Sequence, residues 1–163
     1  MASEAVSTAI LIVAGVIVAT AIVSAIYSQA SLMSSAVRIA SRISEDRIRT
    51  EVRIVHVAVN SSVDGGYLLI FIKNIGSRGI AQEEISKSDI YIGSETCSSM
   101  YLYSPEPTQN RWSFTIVDSN GDNVWSPGET LIVRVFNSTA IKPPICTRIV
   151  LPNGVGHESL SSP

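Results

Sequence analysis

Residues 5–26 read AVSTAILIVAGVIVATAIVSAI, without one charged side chain. As a helix rising about 1.5 Å per residue, these twenty-two residues are long enough to cross a hydrocarbon core of about 30 Å. The nearest charges are Glu4 on one side and Arg38 on the other. A cleavable secretory signal needs a basic leading region, which MASEAV lacks, so the segment is expected to stay in the mature chain. Its small residues, Ala14, Gly15, Ala19 and Ser24 among them, let helices approach closely. This suits packing in a membrane bundle or a filament core; the alternative is an ordinary single-span anchor.

Behind this segment (1–27), residues 28–50 carry neither Gly nor Pro. Leu32, Ala36, Ile39 and Ile43 recur at three- and four-residue spacing, the stripe of a helical stalk. Glu45 with Arg49, and Arg42 with Asp46, stand at i,i+4 and support an exposed helix modestly. A helix running from about residue 5 to about 50 is roughly 70 Å long. Such a rod must sit in a membrane, bundle with other copies, or both.

Near Glu51 the period changes from helical to alternating. EVRIVHVAVN places Val52, Ile54, His56, Ala58 and Asn60 on one side of a strand, with His56 expected to be partly buried and structural. Six further candidates follow at residues 67–74, 89–94, 98–104, 111–117, 130–136 and 145–151, divided by turn signals such as Asp64-Gly65-Gly66. Short strands without intervening helical patterns predict an all-β, immunoglobulin-like sandwich over 51–156. Residues 157–163, within GHESLSSP, are expected to form a flexible tail.

The mean hydropathy of +0.28 is high because of the first 27 residues. Twelve basic against fourteen acidic residues leave no basic excess for nucleic acid. Cys97 and Cys146, confined to the same domain, fit one disulfide in an oxidising compartment; two buried thiols are the alternative. Asn60-Ser61-Ser62 and Asn137-Ser138-Thr139 are glycosylation acceptor triplets and point the same way. Against this, Arg38 and Arg42 follow the span and no Lys or Arg precedes it, which by the positive-inside rule places the domain in the cytoplasm. The rule weakens with distance, and the cysteines and acceptor triplets favour an extracytoplasmic domain.

No GxSxG, P-loop, HExxH or dinucleotide fingerprint occurs, and the two histidines assemble no general base, so neither an enzyme nor a small-molecule substrate is expected. One loop offers a metal reading. Asp118, Asn120, Asp122, Val124 (through its carbonyl), Ser126 and Glu129 fall at positions one, three, five, seven, nine and twelve of a calcium-wrapping loop. Asn123 stands at position six where glycine is usual, and strands replace the flanking helices. The alternative is an Asn/Asp/Gly turn that needs no ion. Trp112, Trp125, Tyr101 and Tyr103 suit either a partner surface or a sandwich core.

The segments STAILIVAGVIVATAIVSAI (7–26), RIRTEVRIVHV (47–57), LLIFIKNIGSRGI (68–80) and DSNGDNVWSPGETLIV (118–133) together resemble the archaellin (archaeal flagellin) superfamily, and within it the FlaG accessory branch, with FlaF next. The K-N-x-G strand and the W-S-P-G-E loop, in this order, are its more specific parts. The resemblance implies a membrane-anchored, non-enzymatic archaellum component in the cell envelope. Its sandwich would lie beneath the S-layer and associate with itself, with a FlaF-like protein or with the S-layer. A filament subunit whose helices pack in a core is the second expectation, and Glu4 there would neutralise a neighbour's amino terminus. A calcium-binding cell-surface adhesion domain is the third.

Overall fold

A computed structural model describes residues 2–60, 66–106, 108–138 and 141–162. The chain divides into two compact units, Met1–Ser44 and Glu45–Pro163. The first consists of helix, part of α1 (Ala2–Arg49). Its most apolar window has a mean hydropathy of 2.8 and none of it is buried. The expected stripe of Leu32, Ile39 and Ile43 is exposed like the rest.

In the second unit, strands β1 (Val52–Asn60), β2 (Tyr67–Asn74), β3 (Ile80–Ala81), β4 (Asp89–Ser94), β5 (Ser99–Tyr103), β6 (Arg111–Val117), β7 (Val124–Trp125), β8 (Thr130–Phe136), β9 (Ile145–Val150) and β10 (Gly156–Ser161) surround one core, with a single-turn helix α2 (Gln82–Ile85) after β3. Eight strands run in the order β1-β2-β8-β6-β5-β4-β9-β10, while β3 pairs with β7. All eight-strand pairings are antiparallel except β5 with β6. The layer folds over at β5, so that β1-β2-β8-β6 faces β5-β4-β9-β10 as an all-β sandwich. The two outermost strands then meet, and the Ile54 N–H donates to His157 Nδ1 at 3.3 Å. An otherwise open strand edge is thereby capped by a side chain.

The pleat explains which residues are inside. Leu68, Ile70 and Ile72 of β2 and Leu131, Val133 and Val135 of β8 alternate with outward residues and meet Ile90, Ile92, Ile145 and Ile149 of the facing layer. Trp112 and Trp125 are both 0% exposed, and Tyr101 is buried with them, so these aromatics fill the core and form no partner surface. Tyr103 packs edge-on against Trp112 at 5.1 Å.

Three expectations are corrected here. In β1 the alternation slips at Val55, which bulges between Ile54 and His56, so Val52, Ile54 and Val57 face inward. His56 is therefore exposed, its ring 5.8 Å from that of Phe71 on the outer face. Second, residues 157–161, expected to be a tail, belong to β10 and pair with β9 from Gly156↔Val150 to Ser161↔Ile145. Exposed Gly156, Glu158 and Leu160 there alternate with half-buried His157, Ser159 and Ser161 because one face of an outer strand meets solvent. Third, residues 45–50, assigned to the stalk, belong to the compact β-domain unit. The turn at Asp64-Gly65 lies outside the described residues.

Candidate functional site

The apolar helix offers one kind of surface. Val6, Ile10, Val13, Ile17 and the other large side chains of residues 5–26 are more than half exposed. Its hydroxyls are satisfied within the helix: Thr8 donates to Glu4 O at 2.8 Å, Thr20 to Val16 O at 2.9 Å and Ser24 to Thr20 O at 2.8 Å. Bonded in this way, the hydroxyls of Thr8, Thr20 and Ser24 suit a hydrocarbon or helix-packed environment. A Cβ added to Gly15 would meet nothing within 4 Å, so nothing within the chain's own fold demands that glycine. Of the four small residues expected to pack, Ala14 lines up with Ser7, Ala21 and Ser28 at seven-residue spacing, whereas Gly15, Ala19 and Ser24 fall on other faces. Seven residues make 700°, within about 20° of two full turns.

The last helical residues are clamped into the β-domain. Arg78 ion-pairs with Asp46 at 3.0 Å and binds Glu84 with both guanidinium nitrogens, while its Nε also reaches Thr50 Oγ1 at 3.1 Å. The hydrogen bond to Glu84 holds the Arg78 pKa above its ordinary value. From the other side, Asn153 donates to Asp46 Oδ2 at 3.2 Å and Thr50 Oγ1 at 3.0 Å, and Arg47 donates to Asn153 O at 2.8 Å. Gly76 lies so close that a Cβ there would stand 2.5 Å from Arg49 O. Asp46, anticipated as a partner of Arg42, is thus used across the fold instead.

Residues 118–129 form a loop closed by its own carboxylates. Asp118 accepts N–H bonds from Asn120 at 3.0 Å, Gly121 at 2.7 Å and Asn123 at 2.8 Å, the last being the main reason its pKa is lowered. Glu129 Oε1 takes the N–H and O–H of Ser119 at 2.9 and 2.8 Å, and Oε2 takes the Ser126 N–H at 2.9 Å. These bonds lower the Glu129 pKa as well, with Ser119 the larger cause. Asn120 donates to Asp122 Oδ2 at 2.9 Å, and Ser126 Oγ lies 3.4 Å from the same oxygen. Asn123 takes the left-handed conformation, φ 59°, which Asn tolerates better than most residues. Among the described residues, three ligand atoms of His, Cys, Asp or Glu converge within 4.8 Å at Cys97, Cys146 and Glu158, and not in this loop. Val124, the expected carbonyl ligand, pairs in β7 with Ala81.

Asn74 joins this loop to the K-N-x-G strand. It is 0% exposed; its Nδ2 donates to Trp125 O at 2.9 Å and Arg78 O at 2.8 Å, and its Oδ1 accepts the Gly76 N–H at 3.1 Å. Its backbone accepts from Gly128 N at 2.7 Å and donates to Glu129 O at 3.1 Å. The Trp125 indole donates to Glu129 O at 3.0 Å. The two sequence motifs are therefore one hydrogen-bonded unit, although they stand 51 residues apart at the Asn74–Trp125 bond.

Cys97 and Cys146 are bonded, with their Cα atoms 5.0 Å apart, which closes the metal-ligand triplet that includes Glu158. The bridge ties the β4–β5 connection to β9 beside Gly93, where an added Cβ would strike the Thr96 carbonyl. Asn60 ends β1, exposed, and donates to the Tyr67 hydroxyl at 2.6 Å. Asn137 is half-buried just after β8. Ser61, Ser62 and Thr139 of the two acceptor triplets lie outside the described residues.

A long apolar helix leading into a disulfide-bonded β-sandwich defines the class of chain: a helix-led all-β protein. Residues 2–158 match the model of the archaeal-type flagellin family, and the chain belongs to that family. It is 30% identical over 158 residues, 95% of each chain, to an uncharacterised protein of Archaeoglobus fulgidus. Among solved structures it is similar to the archaellum periplasmic stator protein FlaG from Sulfolobus acidocaldarius, with 20% identity and a TM-score of 0.50 over 68% of this chain and 99% of that one. The periplasmic stator complex of FlaF and FlaG from the same organism matches at 20% identity and TM-score 0.49, over 68% of this chain and 89% of that one. At these identities the structural likeness is one of fold.

Proposed function

We propose that this chain is a non-enzymatic, FlaG-like structural component of the archaellum machinery. Its apolar helix is held in the membrane and its sandwich stands outside the cytoplasm. The observation that carries this is the helix itself. Over the window with mean hydropathy 2.8 every side chain is exposed, and the hydroxyls of Thr8, Thr20 and Ser24 bond back to the helix, so this segment suits an apolar surrounding that the chain's own fold does not supply. The Cys97–Cys146 bridge supports an oxidising compartment for the domain, against the arginines at 38 and 42. In this role the domain acts by association, with a FlaF-like protein, with the S-layer, or with itself. Protease treatment of sealed, right-side-out cells tests the topology. Cleavage of the β-domain in intact cells agrees with the proposal; protection until the membrane is breached contradicts it.

One observation favours a second reading, a filament subunit. The small residues Ser7, Ala14, Ala21 and Ser28 align at the spacing of helices that pack side by side, and the matching family is that of flagellins. In that case the apolar surrounding is supplied by neighbouring copies and not by lipid.

A further inference from the structure

The outer face of β1-β2-β8-β6 has a charge pattern that the proposed anchoring role does not use. The pairing registers set its outward residues in four rows. The first is Arg53, Lys73, Thr130 and Val117; the last is Asn60, Tyr67, Phe136 and Arg111. Arg134 stands in the row next to the last. These four strands carry four cations on this face and no Asp or Glu, in a chain whose net charge is −2. Arg53 and Lys73 sit directly opposite each other, an arrangement of like charges that weakens a strand pair. Arg111 and Arg134 are diagonal neighbours at the other corner. Among the described residues none of the four makes an ion pair, whereas Arg49 and Arg78 both do.

Between the two cationic corners lie Leu69, Phe71 and Ile132, half-buried and level with the sheet. An apolar centre bounded by arginine and lysine is the anatomy of a protein–protein interface. A second copy presenting the same face is excluded by repulsion, since four cations would meet four. A polyanion such as nucleic acid or an acidic glycan would need a continuous cationic track, and here the apolar centre interrupts it. We infer that the outer face of β1-β2-β8-β6 docks a different protein surface, apolar at its centre and carrying carboxylates at its rim. The inference rests on the sheet alone and holds whether the helix lies in lipid or in a filament.

The full chain in neutral detergent micelles tests this by fluorescence anisotropy against three probes. These are a twelve-residue peptide alternating glutamate with valine and tyrosine, poly-L-glutamate of equal charge, and a sulfated oligosaccharide of equal charge. The alternating peptide is expected to bind most tightly and to weaken as salt is raised from 50 to 300 mM. Lys73→Gln and Arg134→Gln, both at exposed positions, should each weaken it about two- to fivefold, as the loss of a rim charge does. Phe71→Ser should weaken it further in a domain that circular dichroism shows to be still folded at the assay temperature. Equal binding of poly-L-glutamate, preference for the oligosaccharide, or indifference to the two Gln variants would each overturn the inference. The anchoring proposal is untouched by any of these outcomes, because the probes never engage the helix.

Discussion

Replacing Asn74 isolates the junction that joins the two sequence motifs. Asn74→Ala removes the donor that satisfies Trp125 O at 2.9 Å and Arg78 O at 2.8 Å, and the acceptor of the Gly76 N–H. The site is 0% exposed, so water does not replace the lost partners. Leaving a buried polar group unsatisfied costs about 1–3 kcal/mol each. With two carbonyls deprived, and the Gly76 amide half-exposed, the sum is about 2–5 kcal/mol. Asn74→Asp is predicted to be worse at neutral pH, because a carboxylate would face two carbonyl oxygens and gain nothing from them. Its carboxyl would have a folded-state pKa raised above the unfolded value. The neutral acid is then the favoured folded form, and the deficit relative to Asn74→Ala shrinks as pH falls through the raised value. Urea unfolding of the full chain in detergent, followed by the fluorescence of the buried Trp125, measures both. A loss below about 0.5 kcal/mol for Asn74→Ala, or no pH dependence of the difference for Asn74→Asp, would refute the reasoning.

Joining residues 49 apart, the disulfide should stabilise the domain by about 4 kcal/mol through closure of that loop, so Cys97→Ala with Cys146→Ala lowers the urea midpoint accordingly. Asp118 and Glu129 have folded pKa values below the ordinary range, so their stabilising contribution is complete above that range and is lost as pH falls through the lowered values. The melting temperature of the native chain should therefore drop more steeply below about pH 4 than that of Asp118→Asn with Glu129→Gln. Because both carboxylates are already bonded to loop amides, millimolar Ca²⁺ is expected to leave the melting temperature unchanged; a rise of several degrees would establish the loop as a calcium site. Arg78→Met should cost about 1–2 kcal/mol, held down by the side chain's 25% exposure, and should loosen residues 46–50 in hydrogen exchange.

The parts legible in the sequence were those whose signal is periodic. An uncharged run of twenty-two residues and strands such as TLIVRVF state their own environment, since burial and alternation are written in side-chain type. The bulge at Val55 was not legible, because a register slip is decided by the partner strand and not by the residues that slip. β10 was missed for a related reason: GHESLS has polar residues on the outer strand of a sheet, and only its pairing with β9 makes it a strand. The two-residue strands β3 and β7 and the clamp of Arg78 on Asp46 and Glu84 depend on long-range contacts with no local pattern. In the loop of residues 118–129, spacing alone does not separate an ion-wrapping loop from a self-closed turn. Oxygen-bearing side chains at ligand spacing also serve to close a turn on its own amides, as Asp118 and Glu129 do here.

What surrounds residues 5–26 decides the account, and detergent extraction of native cells measures it directly. If the helix is anchored in lipid, the protein sediments with membranes, is released by a mild non-ionic detergent as a discrete species, and is absent from sheared filaments. Recovery in sheared filaments that resist the detergent would contradict the anchoring proposal and assign the helix to a filament core.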